Sequence, residues 1–553
     1  MNTKTGKLTV RTLLWLVVLF TTAGPACQQS KDIFDLSRVV DVEIELAQAD
    51  WDALCQEGRG LAALASGCAS DFEYTYFDAS VTVDGQRIEH AGVRKKGFLG
   101  SLSVVRPSLK IHFGKFVPDQ TCLGMKRLTL NNDRQDPSHT HQVMSYALFR
   151  KAGIVAPSCN LARVSVNGEL LGIYSNVESI KKPFLARYFS DNNGNLYEGQ
   201  LADFTVELVS KFERKTNKTA PDGGPPDRSD LDRVVQALNA SDADLLAELG
   251  KVIDVDEFLT FWAMEVITGH WDGYTGDRNN FYAYHDPETD LFHFIPWGTD
   301  GAFGKDHLFL PNIPSSVYAW GKIANRLYSY PETRTLYHVK LRSLLDDVWN
   351  EDDLLASVDQ IEQLASADPQ ATQDQRKFIS SRKSIVLSEL YGSGPDWPYP
   401  LISEIPECKE PQEASGTFSA TWGSVDNFVT NENVSLTLTL NGQPQIFEQV
   451  LNSAGIEGDQ KNFDDYIATI RLLGIRSGNY PLAVILHVME SRFETGEIPL
   501  HGFETFGVVV EINQQTGSYR ILNFIGDGAI SLDVAGMNPG DTVSGSFSGL
   551  MAQ

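Results

Sequence analysis

The sequence predicts an α+β domain over residues 38–391, a linker over 392–415 and a β-sandwich over 416–553. Three observations carry this. Between Val40 and Leu390, short apolar–polar alternations interleave with runs of helical period. Gly392-Ser393-Gly394-Pro395-Asp396-Trp397-Pro398 then opens a Pro-rich stretch that no helix or strand tolerates. Beyond it the helix signal vanishes. Runs such as Val434–Leu440 and Phe506–Ile512 alternate instead, between Asn-Gly and Gly-Asn turns.

The elements follow in order. Residues 1–27 read as a targeting segment: Lys4, Lys7 and Arg11, then an apolar core from Leu13 to Phe20, then small residues up to Cys27. Cys27 resembles the lipidation site of a bacterial lipoprotein, with cleavage nearby and no lipid as the alternative. Either way the mature chain is expected to be exported to the cell envelope, and no later segment is long and apolar enough to span a membrane. Residues 28–37 are a polar tether. Val40–Leu46 alternates as a half-buried strand, and Ala49–Leu54 starts a helix. Tyr74–Gly92 is β again, with an Asp84-Gly85 hairpin turn.

From Gly92 to Phe113, Arg94, Lys95 and Lys96 precede a loop with Gly97, Gly100, Ser101 and Ser103, and Ser108–Phe113 returns as a strand bearing Lys110. A Gly/Ser loop between lysines is able to wrap phosphates with backbone N–H groups and ammonium charge. An ordinary basic hairpin is the alternative. Lys126–Asn132 is a strand, His141–Lys151 a helix, and Leu161–Tyr174 a hairpin through Asn167-Gly168. Glu178 follows as a candidate partner for an upstream lysine, then a helix from Lys182 to Tyr188. Residues 214–230 are a loop, and Ser229–Lys251 is helical in two pieces. Asp254 caps an apolar helix that ends at His270-Trp271-Asp272. Phe281–Tyr284 and Leu291–Ile295 form a hairpin around Asp286–Asp290. Its outer ends are able to bring Asp272, Asn279 or Asn280, and Asp300 together as hard-oxygen groups suited to Mg²⁺; two solvated loop ends around a buried hairpin are the alternative. The chain is read as loop from Gly304 to Pro331, and three helices follow to Tyr391.

The net charge of −26 argues against nonspecific nucleic-acid binding, which needs basic surface. Export permits disulfides. Cys55–Cys68 is the expected pair, Cys122–Cys159 a weaker one, and Cys408 is left free. His139 and His141 read as helix-start residues rather than metal ligands. No GxSxG or HExxH motif supports a common hydrolase, and only Asp272 and Asp300 are available for an acid/base one.

In order, Arg94–Gly97, Pro107–Phe113, Leu128–Asn132, Asp136–Ser138, Val166–Glu169 with Gly172 and Tyr174, Trp271-Asp272, Asn279-Asn280, and Ile295–Trp297 with Asp300 resemble the CotH family of spore-coat protein H kinases, over roughly 38–390. The resemblance implies a divergent two-lobed protein-kinase-like fold that uses ATP and Mg²⁺ to phosphorylate Ser or Thr of a protein that the sequence does not name. Position by position it implies Lys96, Lys110 and Arg94 beside the phosphates, with Glu178 as their acidic companion. It implies Asp272 as the base, and Asn280 (or Asn279) and Asp300 as metal ligands. The chain departs from the family at Gly298, where a carboxylate is usual, and the GFLGSLS loop lacks a Gly-Asn-Ser-Ser often seen there. The alternative is a non-catalytic surface protein that uses the same fold to bind.

Overall fold

The structure, a computed structural model, describes residues 32–58, 72–97, 101–219, 223–304, 312–401, 409–423, 425, 434–462, 465–477, 480–500, 504–513 and 519–552. The targeting segment with Cys27, and also Cys68, Gly100 and Cys408, lie outside the described residues. No described helix is long and apolar enough to cross a membrane.

Seven strands close into a barrel: β1 (Val39–Glu45), β2 (Phe77–Val83), β3 (Gln86–Lys96), β4 (Ser108–His112), β5 (Arg127–Asn131), β6 (Cys159–Val166) and β7 (Glu169–Val177). Neighbours are antiparallel except at the seam, where β1 runs parallel to β6 with Val42 opposite Val164. A parallel pair needs a long crossover; among the described residues it holds four strands and two helices, α1 (Gln48–Gln56) and α2 (His141–Lys151). The two-residue side-chain period sends Val40, Val42 and Ile44 of β1 into the barrel, where they meet Val81, Val93, Ile111 and Val164. The same period puts Lys95 on the face of Val93, and Arg94 and Lys96 on the other. Arg94 stands opposite Lys110, and Lys96 opposite Ser108.

A second region follows the barrel. After α3 (Lys182–Tyr188), β8 (Asn195–Gly199) and β9 (Glu213–Arg214) join β10 (Phe281–Asp286) and β11 (Leu291–Pro296) in a sheet of order β11-β10-β8-β9. The expected β10–β11 hairpin is present, with Phe281 opposite Pro296 and Asp286 opposite Leu291. Between the two pairs lie α4 (Ser229–Ala237), α5 (Leu245–Leu249), α6 (Val255–Thr268) and the single turn α7 (Tyr274–Asp277). Asp254 caps α6 by accepting from the Glu257 N–H at 3.0 Å. Gly269, left-handed at φ 67°, ends it. Trp262 of α6 stacks on Tyr337, with ring centroids 3.7 Å apart, and donates to the Tyr318 carbonyl at 2.6 Å. The buried helix is thereby fixed, and with it the segment that follows it.

The stretch from Gly304 to Pro331 is not all loop. Lys322–Ser329 is a helix, α8, with Ile323, Ala324, Leu327 and Tyr328 buried. α9 (Pro331–Asp347), α10 (Glu351–Ala365) and α11 (Pro369–Glu389) complete the helical part.

Ten strands, from β12 (Gln412–Gly423) to β21 (Thr542–Ala552), form the C-terminal domain. Where a sandwich of two sheets was expected, they are hydrogen-bonded as one sheet. β21 pairs with both β12 and β20 (Tyr519–Ala535), so the sheet turns back on itself around Phe418, Leu438, Ile470, Val484 and Phe547.

The expected Cys55–Cys68 pair includes Cys68, which lies outside the described residues, and the Cys122–Cys159 pair is not formed. Cys55, Cys122 and Cys159 are free, buried thiols. Cys122 packs inside the barrel and Cys159 in the separate helical core, which is why they do not meet. Cys55 sits at the end of α1, where its carbonyl accepts from Lys95 Nζ at 2.5 Å.

Candidate active site

The site lies where the outer face of β3 and β4 meets the ends of the β10–β11 hairpin. Lys96, Lys110, Asp272, Asn279, Asn280 and Asp300 are each partly exposed. Asp272 leaves α6 through His270 and Trp271. Its carboxylate is gripped on both sides: Asn279 Nδ2 donates to Oδ1 at 3.0 Å, and Asn280 Nδ2 donates to Oδ2 at 2.6 Å. Burial pushes the Asp272 carboxyl well up from its ordinary value; the Asn279 and Asn280 hydrogen bonds oppose this, and the negative charges of Asp277 and Asp300 add to it.

The segment carrying Asp272 is itself held from behind. Glu265, buried in α6, accepts from the Tyr274 N–H at 2.9 Å, the Thr275 N–H at 2.8 Å and Thr275 Oγ1 at 2.5 Å. Burial raises Glu265 to about 7 against those hydrogen bonds.

Asp300 sits on a 3-10 turn, Thr299–Gly301, entered through the left-handed Gly298 at φ 51°. Its backbone carbonyl accepts from His141 Nδ1 at 2.7 Å, which ties the turn to the start of α2. Burial raises its carboxyl to about 6, opposed first by the charge of Lys96. Lys96 donates to Asn131 Oδ1. Asn131 in turn donates to Gln142 at 2.5 Å, and Gln142 to Asp133 at 3.3 Å. Burial lowers Lys96 to about 8, with Asp300 the leading charge that supports its ammonium form. Lys110 is lowered to about 7, by burial first and then by the like charges of Lys181 and Arg94. Arg94 also lies over the rings of Tyr74 and Tyr76, at 5.6 and 5.4 Å.

The structure corrects the acidic companion of the lysines. Glu178 turns away from them; it accepts from Arg187 and from the Ser158 N–H at 3.1 Å. The carboxylate that faces the lysines is Glu198 on β8. Burial would raise it, but Lys215 and then Lys110 outweigh this and hold it below its ordinary range. The sequence signal for Glu198 was Leu196-Tyr197 after the Asn193-Gly194 turn, a strand too short to register.

His139 pairs with Asp133 at 2.8 Å and His141 with the Asp300 carbonyl; neither side chain caps α2. Among the described residues no three His, Cys, Asp or Glu side chains are grouped to hold a metal ion. The oxygen donors that remain are two carboxylates, Asp272 and Asp300, and the Asn280 amide. Asn280 Oδ1 faces Gly298, lying 2.5 Å from where a Cβ there would be.

Residues 93–388, more than half of the chain, match the family described as CotH kinase protein. The inner spore coat protein H of Bacillus subtilis is 26% identical over 279 residues, covering 48% of this chain and 75% of that protein. Invasin CotH7 of Rhizopus delemar is 23% identical over 238 residues, covering 40% of each chain. A solved structure, the Helicobacter pylori proinflammatory kinase CtkA, aligns with 51% of this chain and 91% of its own. Its TM-score of 0.27 and 8% identity are too low to establish a shared fold. The family match spans the lysine-bearing strands, Asp272, the hairpin and Asp300: the chain belongs to the CotH kinase protein family.

Proposed function

We propose that the protein is an exported kinase that transfers the γ-phosphoryl group of ATP to a Ser or Thr hydroxyl of a surface protein. The observation that carries this reading is a doubly clamped Asp272 that feels the charge of Asp300, which in turn feels the charge of Lys96. The barrel and the helical region are read as the two lobes. ATP with Mg²⁺ supplies the reactive phosphoryl group and neutralises its charge. Lys96 and Lys110 hold phosphate oxygens, while Asn280 and Asp300 offer oxygen ligands to the ion. Asp272 orients the acceptor hydroxyl and takes its proton as the new O–P bond forms and ADP leaves. Spore-coat and invasin relatives support a surface setting.

The test is incubation of the whole chain with γ-labelled ATP, Mg²⁺ and a mixed Ser/Thr peptide library. Labelled Ser or Thr is expected. The absence of any nucleotide-dependent thermal shift at millimolar ATP would leave the non-catalytic scaffold as the surviving reading.

Metal-free nucleotide binding should depend on pH. A lysine attracts an anion only while protonated, and Lys110 and Lys96 lose their protons near about 7 and about 8. Asp300 gains negative charge above about 6, which acts in the same direction. Affinity for ADP in chelator is therefore expected to be highest near pH 6. It should fall as pH rises toward about 9, approaching about tenfold per pH unit past each lysine value. Calorimetry across that range checks it; a flat profile would place these lysines outside the site.

A further inference from the structure

We propose that Glu504 of the C-terminal domain is a positioning residue for the 101–107 loop, so that this domain clamps the loop leading from β3 to β4. The link to nucleotide rests on the kinase reading; the clamp itself rests on geometry.

Most ties on this loop come from the barrel region. Asn132 Nδ2 donates to the Ser101 carbonyl at 3.1 Å and to the Arg106 carbonyl at 2.7 Å, gathering the two ends. Arg134 donates to the Leu102 carbonyl at 2.6 Å, and Ser103 Oγ accepts from the Arg106 N–H at 2.9 Å. Tyr174 donates to the Pro107 carbonyl at 3.2 Å. The middle of the loop has a different partner. The Val104 N–H donates to Glu504 Oε2 at 2.7 Å, across 400 positions of sequence.

Glu504 is 3% exposed and Thr505 beside it 1%. A carboxylate buried this far is unfavourable unless it is hydrogen-bonded, so the contact is selective rather than incidental. Its charge supports the ammonium form of Lys95, which occupies the opposite face of β3 from Lys96. Glu504 therefore meets the loop from the side of β3 opposite the one bearing Lys96. The Val104 and Arg106 N–H groups are already engaged, so the loop serves the site by holding a shape, not by offering these donors to phosphate. A loop ordered in advance binds its ligand more tightly, because less conformational entropy is lost on binding.

The experiment uses the full chain with Glu504→Ala and Glu504→Gln. The glutamine keeps a carbonyl oxygen for the Val104 N–H. Amide exchange over 101–107 is expected to speed up in Glu504→Ala and to remain near wild type in Glu504→Gln. Affinity for ADP with Mg²⁺ should fall about five- to tenfold in the alanine variant and within about twofold in the glutamine variant. The nucleotide KM should rise with kcat nearly unchanged, a split that general destabilisation would not produce. Unchanged exchange in Glu504→Ala overturns the clamp. Faster exchange with undiminished ADP affinity overturns the positioning role. If the wild-type chain binds no ADP, the kinase reading and the nucleotide half of this proposal fall together, while exchange still decides whether the clamp exists.

Discussion

Asp272→Asn is expected to lower phosphoryl transfer by about 10²- to 10⁴-fold while leaving nucleotide affinity within about threefold. The asymmetry follows from where Asp272 stands. In the proposed mechanism Asp272, just beyond α6, faces the acceptor hydroxyl, while Lys96 and Lys110 on β3 and β4 hold the phosphates. An asparagine cannot take the hydroxyl proton, nor can it accept from both Asn279 and Asn280, since its own NH₂ would face one of theirs. Stability supplies a second readout with a definite sign. The folded-state pKa of Asp272 is raised, so its contribution is fully present below the ordinary carboxylate value and is lost as pH rises through the raised value. Asp272→Asn removes that loss. Its unfolding midpoint relative to wild type should therefore improve with rising pH. Labelling that persists undiminished in Asp272→Asn would move the catalytic base elsewhere.

The parts of this site that were legible in the sequence are local ones. The β10–β11 hairpin announces itself by β-forming runs around Asp286–Asp290, and once it closes, Asn280 and Trp297 must be neighbours. The apolar helix before Asp272 was legible too, though it was read as running to His270-Trp271-Asp272 and ends instead at the left-handed Gly269. What was not legible depends on pairing across long distances. The β1–β6 seam joins residues more than a hundred positions apart, and only that seam turns a series of hairpins into a barrel. Glu198 acquires its role because β8 pairs with β10, placing Glu198 opposite Tyr282. Glu178 looked equally suitable from the sequence, yet the nearby α3 supplies Arg187 to bind it first. α8 was missed because its buried residues span a single eight-residue helix in an otherwise turn-rich stretch. The lysines were readable as basic residues, but not their support. Asn131 and Asn132 read as no more than the end of a strand; one fixes Lys96 and the other gathers the 101–107 loop.

Gly298→Asp, which installs the carboxylate usual in the family, is expected to reduce transfer by at least about tenfold rather than enhance it. The backbone is the first reason. Gly298 is left-handed at φ 51° and ψ 48°, and a residue with a Cβ is disfavoured there by about 1 kcal/mol. Space is the second. A Cβ on the present backbone would lie 2.5 Å from Asn280 Oδ1 and 2.6 Å from its Cγ, so the amide must rotate away. Rotation breaks the 2.6 Å hydrogen bond from Asn280 to Asp272 and removes one of the two groups that favour its ionised form. Charge is the third. A new carboxylate beside Asp272 and Asp300 raises their proton affinity further, which lowers the fraction of Asp272 that is ionised and free to take a proton, and it repels an anionic substrate. Gly298→Ala isolates the first two effects. It should lower stability by about 1–3 kcal/mol and reduce transfer less than Gly298→Asp does. Pairing Gly298→Asp with Asn280→Ala relieves the clash without restoring the clamp on Asp272, so transfer should stay low. A Gly298→Asp protein more active than wild type would show that the glycine is a lost ligand. The expected decline would show that this chain has rebuilt the position around Asn280, with the amide occupying the space a carboxylate would otherwise fill.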